Sequence, residues 1–147
     1  MRAEFINLKQ AGLAPERAAA LIAARRQAQG RRVLVLAGDP AQAASVDRLL
    51  WTIEQASFVP HAMAGGADQA DEPVLISHAG GEAAGNPNAA TVLVLMNPPL
   101  ALPSAGWPEL VLLLPAEEGP DLARCREHYR ALQQKPGVEL VHTTRLA

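Results

Sequence analysis

The chain has 147 residues, the length of one domain, and can bury a substantial core. Its net charge of −2 argues against holding nucleic acid by bulk electrostatics, and its single cysteine excludes an internal disulfide and a cysteine-rich metal site. No apolar run approaches 18 residues, and Met1-Arg2-Ala3-Glu4-Phe5 lacks the apolar stretch of a signal peptide, so a cytoplasmic protein without a membrane span is expected.

Glu4 to Leu8 reads as a short first strand. Pro15-Glu16 opens a helix, with proline in its first turn and an acid near the positive dipole end. That helix runs to Gln29, and Gly30 supplies a stop. Arg25, Arg26, Arg31 and Arg32 cluster at its end. Cations suit a helix C-terminus, so a solvated, dipole-matched basic end is expected there.

Val33 to Ala37 is a continuous apolar run with the length and β-branching of a strand buried on both faces. Gly38 turns the chain, Asp39 can cap a helix, and Pro40 suits its first position. The helix from about Ala41 to Ile53 carries a core stripe of Ala43, Val46, Leu49, Leu50 and Ile53. Trp51 lies roughly 140° from the centre of that stripe. Phe58-Val59-Pro60-His61 follows, apolar where a loop should be polar. The chain has two Trp, one Tyr and two Phe, so two of its five aromatics in one outward patch need a cover. That cover is either a loop of the same chain or a partner protein.

Ala62 to Pro73 is polar and Gly-rich, a surface loop. Val74 to Ser77 is a third strand, and His78 to Ala90 another loop. Thr91 to Met96 and Glu109 to Leu114 are buried-strand patterns joined by a proline-rich connection. Gly119-Pro120-Asp121 begins the last helix, which runs to about Gln134. Pro136-Gly137 ends it, and Val138 to His142 reads as an edge strand. Apolar strands alternating with helices predict one α/β domain over residues 1–147. It should have three layers, with a largely parallel sheet and helices on both faces, Rossmann-like but without a nucleotide-binding loop.

The chain lacks the motifs that mark catalytic and metal sites. The Gly38-Asp39-Pro40 turn stands where such folds grip phosphate, yet it has neither GxGxxG nor GxxxxGK[ST]. Pro40 removes an amide, and Asp39 would repel a phosphate. Gly80-Gly81-Glu82 follows a strand without a lysine. His61, His78, His128 and His142 are scattered, without metal-ligand spacing. Ser45, Ser57, Ser77 and Ser104 lack a GxSxG context. Cys125 has Arg124 and Arg126 beside it, which would lower its pKa, but its place on an apolar stripe reads as core. No catalytic, cofactor-binding or metal-binding residue is expected.

In the last helix, Leu122, Cys125, Tyr129 and Leu132 form the expected buried stripe. Arg126, Arg130 and Gln133 lie on one flank at i, i+4, i+7. Guanidinium groups beside an aromatic edge suit a carboxylate next to an apolar side chain. The plainer alternative is a solvated basic face paired with Glu127 or Asp121.

Arg32-Val33-Leu34-Val35, Leu50-Trp51 and Ser57-Phe58-Val59-Pro60-His61 together resemble the chi subunit family of bacterial DNA polymerase III, an accessory component of the clamp-loader assembly. The resemblance covers most of the chain and is most specific from Arg32 to His61. It implies a psi-subunit contact through Trp51, Phe58, Val59 and Pro60. It also implies that Leu114, Arg126, Tyr129, Arg130 and Gln133 bind the C-terminal tail of single-stranded DNA-binding protein, which is acidic and ends in an apolar residue. Gln133 and Leu122 stand where the family has basic residues, so tail binding would be weaker or would use Arg124 or His128 instead.

The expectation that follows is a non-catalytic subunit of a DNA-directed DNA polymerase (nucleotidyltransferase) holoenzyme in DNA replication. It would be a monomer or a 1:1 heterodimer with psi, without a cofactor and touching nucleic acid mainly indirectly. The alternative is a nucleotide-binding α/β enzyme, against which the missing phosphate loop counts.

Overall fold

The computed structural model describes residues 1–53, 58–79, 85–103 and 106–146. Ser57, the Gly80-Gly81-Glu82 run and Ser104 lie outside them. The strands are β1 (Arg2–Asn7), β2 (Val33–Ala37), β3 (His61–Met63), β4 (Val74–His78), β5 (Val92–Leu95), β6 (Glu109–Leu114) and β7 (Glu139–Thr143). The helices are α1 (Leu8–Ala11), α2 (Pro15–Ala28), α3 (Pro40–Thr52) and α4 (Pro120–Gln133), with a 3-10 turn at Gln69–Asp71.

The seven strands form one sheet in the order β3-β4-β2-β5-β6-β1-β7, and every pairing is parallel. Side chains alternate between its two faces, so each apolar run feeds two cores. Ile6, Val33, Val35, Ile76, Val94 and Leu113 point to the layer of α1, α2 and α3. Phe5, Leu34, Leu75, Leu95 and Leu112 point to the layer of α4. The expected three-layer architecture is present.

Two segments depart from the sequence reading. Residues 61–63, assigned largely to a loop, make the edge strand β3 through three pairs with β4. Leu8, assigned to the first strand, is instead buried in the one-turn helix α1. Asn7 caps that turn by accepting from the Gln10 amide at 3.0 Å, and Gly12 ends it at φ 68°.

The arginine cluster is not a solvated helix end. Glu109 is 1% exposed at the start of β6. It accepts from Arg26 Nε at 3.2 Å and Nη2 at 3.1 Å, and also pairs with Arg2 and Arg31. Arg26 and Arg2 each reach Glu4 as well, at 2.9 Å. Burial would raise the Glu109 carboxyl, but the hydrogen bonds and charges of Arg26 and Arg2 outweigh it and hold it below the ordinary carboxylate range. Arg32 ties three carbonyls together, those of Asn88, Ala70 and Glu72. Arg25 donates to the carbonyl of Leu146, whose side chain is buried against α2's layer. The demand for these cations comes from the two carboxylates and the loop carbonyls at this end of the sheet, more than from the dipole of α2.

Candidate functional site

The first candidate surface is set by α3. Asp39 caps it by accepting from the Gln42 amide at 2.7 Å, and Pro40 occupies its first turn. Ala43, Val46 and Leu50 are buried, and Leu49 and Ile53 are half-buried, as the stripe predicts. That phase leaves Trp51 facing outward at 59% exposure. Phe58 is 64% exposed, and its ring centroid is 5.4 Å from that of Trp51. No loop of this chain covers the pair among the described residues.

Two neighbours anchor it. Val59 was expected in the outward patch but is 3% exposed and belongs to the core beneath it. Chain direction explains this: Val59 precedes β3, where successive side chains alternate. Pro60 is half-buried. His61 is buried, with its ring centroid 4.7 Å from Trp51. Its Nδ1 donates to the Val59 carbonyl at 2.7 Å, since a carbonyl can only accept. Its Nε2 lies 3.2 Å from Asp47 Oδ1, at ion-pair distance but without hydrogen-bond alignment. The imidazole thus links the Phe58 segment to α3 by packing edge-on against Trp51, a contact that residue spacing does not reveal.

The second candidate surface surrounds α4. A cavity of about 410 Å³ is lined by Phe5, Leu114, Cys125, Arg126, Tyr129, Arg130 and His142. Four of the five residues expected here, Leu114, Arg126, Tyr129 and Arg130, meet in it; the exposed Gln133 does not line it. Phe5 and His142 come from β1 and β7, which only the sheet order brings beside α4. Tyr129 is half-buried and meets Phe5 edge-on, with centroids 5.1 Å apart at 79°. The floor is therefore aromatic and aliphatic.

Arg126 is paired with Glu118, at 3.2 and 3.3 Å, and not with Glu127 or Asp121. Arg130 makes no ion pair among the described residues and is exposed. The substitutes for the missing basic positions are engaged elsewhere. His128 is buried and donates from Nε2 to the Pro99 carbonyl at 2.6 Å; Arg124 reaches the Pro98 carbonyl at 3.4 Å. His128 replaces Tyr129 among the buried positions of α4, because Pro98 and Pro99 of the proline-rich connection lie against that flank. Burial pushes the Cys125 thiol up to about 11, with Asp121 adding to the rise and Arg124 opposing it. The flanking arginines do not activate it.

At the Gly38 turn the Gly38 and Gln42 amides are already engaged by side chains of the turn and of α3. Gln42 Oε1 accepts from the Gly38 amide at 2.7 Å and from Asn97 Nδ2 at 3.0 Å. Among the described residues, no cluster of three or more His, Cys, Asp or Glu could hold a metal ion. Nor is any described helix long and apolar enough to cross a membrane.

Two comparisons with known proteins bear on these surfaces. The family model described as "DNA polymerase III chi subunit, HolC" matches residues 1–140. The DNA polymerase III subunit chi of Escherichia coli (strain K12) is 43% identical over 56 residues, which is 38% of this chain and 38% of that protein. The family match runs from β1 to the start of β7 and takes in both helical layers and every residue of the two candidate surfaces except His142: the chain belongs to the DNA polymerase III chi subunit family.

Proposed function

We propose that this chain is a non-catalytic adaptor of the DNA polymerase III assembly. The exposed Trp51–Phe58 pair, with Pro60 at its margin, would seat the psi subunit. The α4 cavity would take the C-terminal tail of single-stranded DNA-binding protein, and the protein would tether the clamp loader to coated single strands. The observation that carries this reading is the composition of that cavity. An apolar floor of Phe5, Leu114 and Tyr129 lies below the guanidinium groups of Arg126 and Arg130. A chain terminus combines a carboxylate with an apolar side chain, and this site offers a partner to each.

The test is fluorescence anisotropy with one acidic peptide ending in an apolar residue, made in carboxylate and amide forms. The acid form should bind more tightly, and its affinity should fall as salt rises. Arg126→Ala should cost about 1.5 kcal/mol, the lower end for a hydrogen bond to a charged group, because this guanidinium is half exposed. Equal affinity for both peptide forms would eliminate carboxylate capture here.

A further inference from the structure

Arg126 forms part of the wall between two cavities. On one side is the apolar cavity floored by Phe5 and Tyr129. On the other is a cavity of about 650 Å³ that shares Leu114 and Arg126 but is lined by Glu117 and Glu118 from the segment between β6 and α4. The Arg126 fork pairs with Glu118, which lines the second side. Its Nη1 donates to Glu118 Oε2 at 3.3 Å and its Nη2 to Oε1 at 3.2 Å. A side-chain carboxylate of the chain itself thus occupies the two-pronged arrangement that an incoming carboxylate would need. Glu117, next in sequence, makes no ion pair among the described residues.

We infer that Glu118 is an internal competitor for Arg126, occupying its guanidinium fork until a ligand carboxylate displaces it. The inference rests on the tail-binding reading above and adds a control to it. A ligand with acidic side chains but no carboxylate beside an apolar group gains little by displacing Glu118, because it exchanges one carboxylate for another. A terminal carboxylate whose apolar side chain also fills the neighbouring cavity gains that burial as well. Displacing Glu118 is therefore favourable for a chain terminus and nearly neutral for an acidic stretch.

The experiment compares Glu118→Gln with Glu117→Gln on the full chain, using the acid and amide peptides. Both variants remove one negative charge; only the first frees Arg126. Glu118→Gln should tighten the acid peptide about two- to fivefold, the range of an exposed ion pair. Glu117→Gln should change it less, and Glu118→Gln should have no such effect when combined with Arg126→Ala. The amide peptide should gain less than the acid from Glu118→Gln, which narrows selection to the terminus. Equal gains from the two glutamine variants, or an undiminished gain in the Arg126→Ala background, would overturn the competitor role while leaving tail binding intact. A wild-type chain that binds acid and amide peptides alike would instead remove the tail-binding reading, and the competitor with it.

Discussion

Trp51 is outward-facing because helical periodicity puts it opposite Val46 and Leu50, and that much is legible from spacing alone. Val59 was misplaced because a four-residue apolar run carries no period until it is known to enter a strand. Sequence shows His61 as one of four scattered histidines, because Asp47 and the Trp51 ring approach it only in the folded chain. Phe58 is exposed, and its removal leaves the core unchanged. Phe58→Ala should thus weaken psi binding by about 2 kcal/mol or more with little change in Tm, checked by calorimetry and thermal melts. Cys125 gives an opposite expectation from sequence neighbours and from burial, and burial wins. With its thiol near 11, labelling by a disulfide reagent at pH 8 should be about a hundredfold slower in the native chain than in denaturant. A labelling rate equal in both states would contradict its burial.

At the scale of elements, β2, β4, β5 and β6 were legible because strands buried on both faces must be continuously apolar. β3 was not, since its three residues end in a Gly-rich turn and pair only through β4. The arginines at the end of α2 and just beyond it are legible as a cluster but not as partners of Glu4 and Glu109, which lie far away in sequence. Glu109 ionises in the folded chain at lower pH than its ordinary value of 4.5. Its contribution is therefore complete above that value and is lost as pH falls through the depressed folded-state pKa. Glu109→Gln should destabilise the fold by about 3–5 kcal/mol at neutral pH, the cost of leaving buried charges without their partner. Below about pH 4.5 the gap between wild type and variant should close, as urea titrations across pH would record. The turn between β2 and α3 yields a separate expectation. Gln42 and Asp39 already accept from its amides, so calorimetry with ATP, GTP or NAD should give no saturable heat there.

For the whole molecule, the class of fold follows from alternating strand and helix patterns, but the strand order does not. β1 lies between β6 and β7, pairings that span more than a hundred residues and leave no local trace. This order also decided the α4 cavity, whose Phe5 and His142 walls come from β1 and β7. The Trp51–Phe58 pair flanks β3, at one edge of the sheet and against the layer of α3. The α4 cavity spans β6, β1 and β7, at the other edge and on the opposite face. Sites this far apart, with no shared residue, should bind independently. Saturating one surface should shift affinity at the other by less than about 0.5 kcal/mol, measured by anisotropy in the presence of the second partner.

That diagonal separation has a mechanical side. Seven strands about 4.8 Å apart put roughly 29 Å between the outer two. A pull from one partner to the other would cross the strands, along their hydrogen bonds instead of in shear. The edge strand on the Phe58 side, β3, is held by only three residue pairs. It should be the fuse of the linkage, peeling before the longer ladders at the centre. Force spectroscopy with handles at residues 58 and 130 should record an early small extension, abolished when β3 is cross-linked to β4.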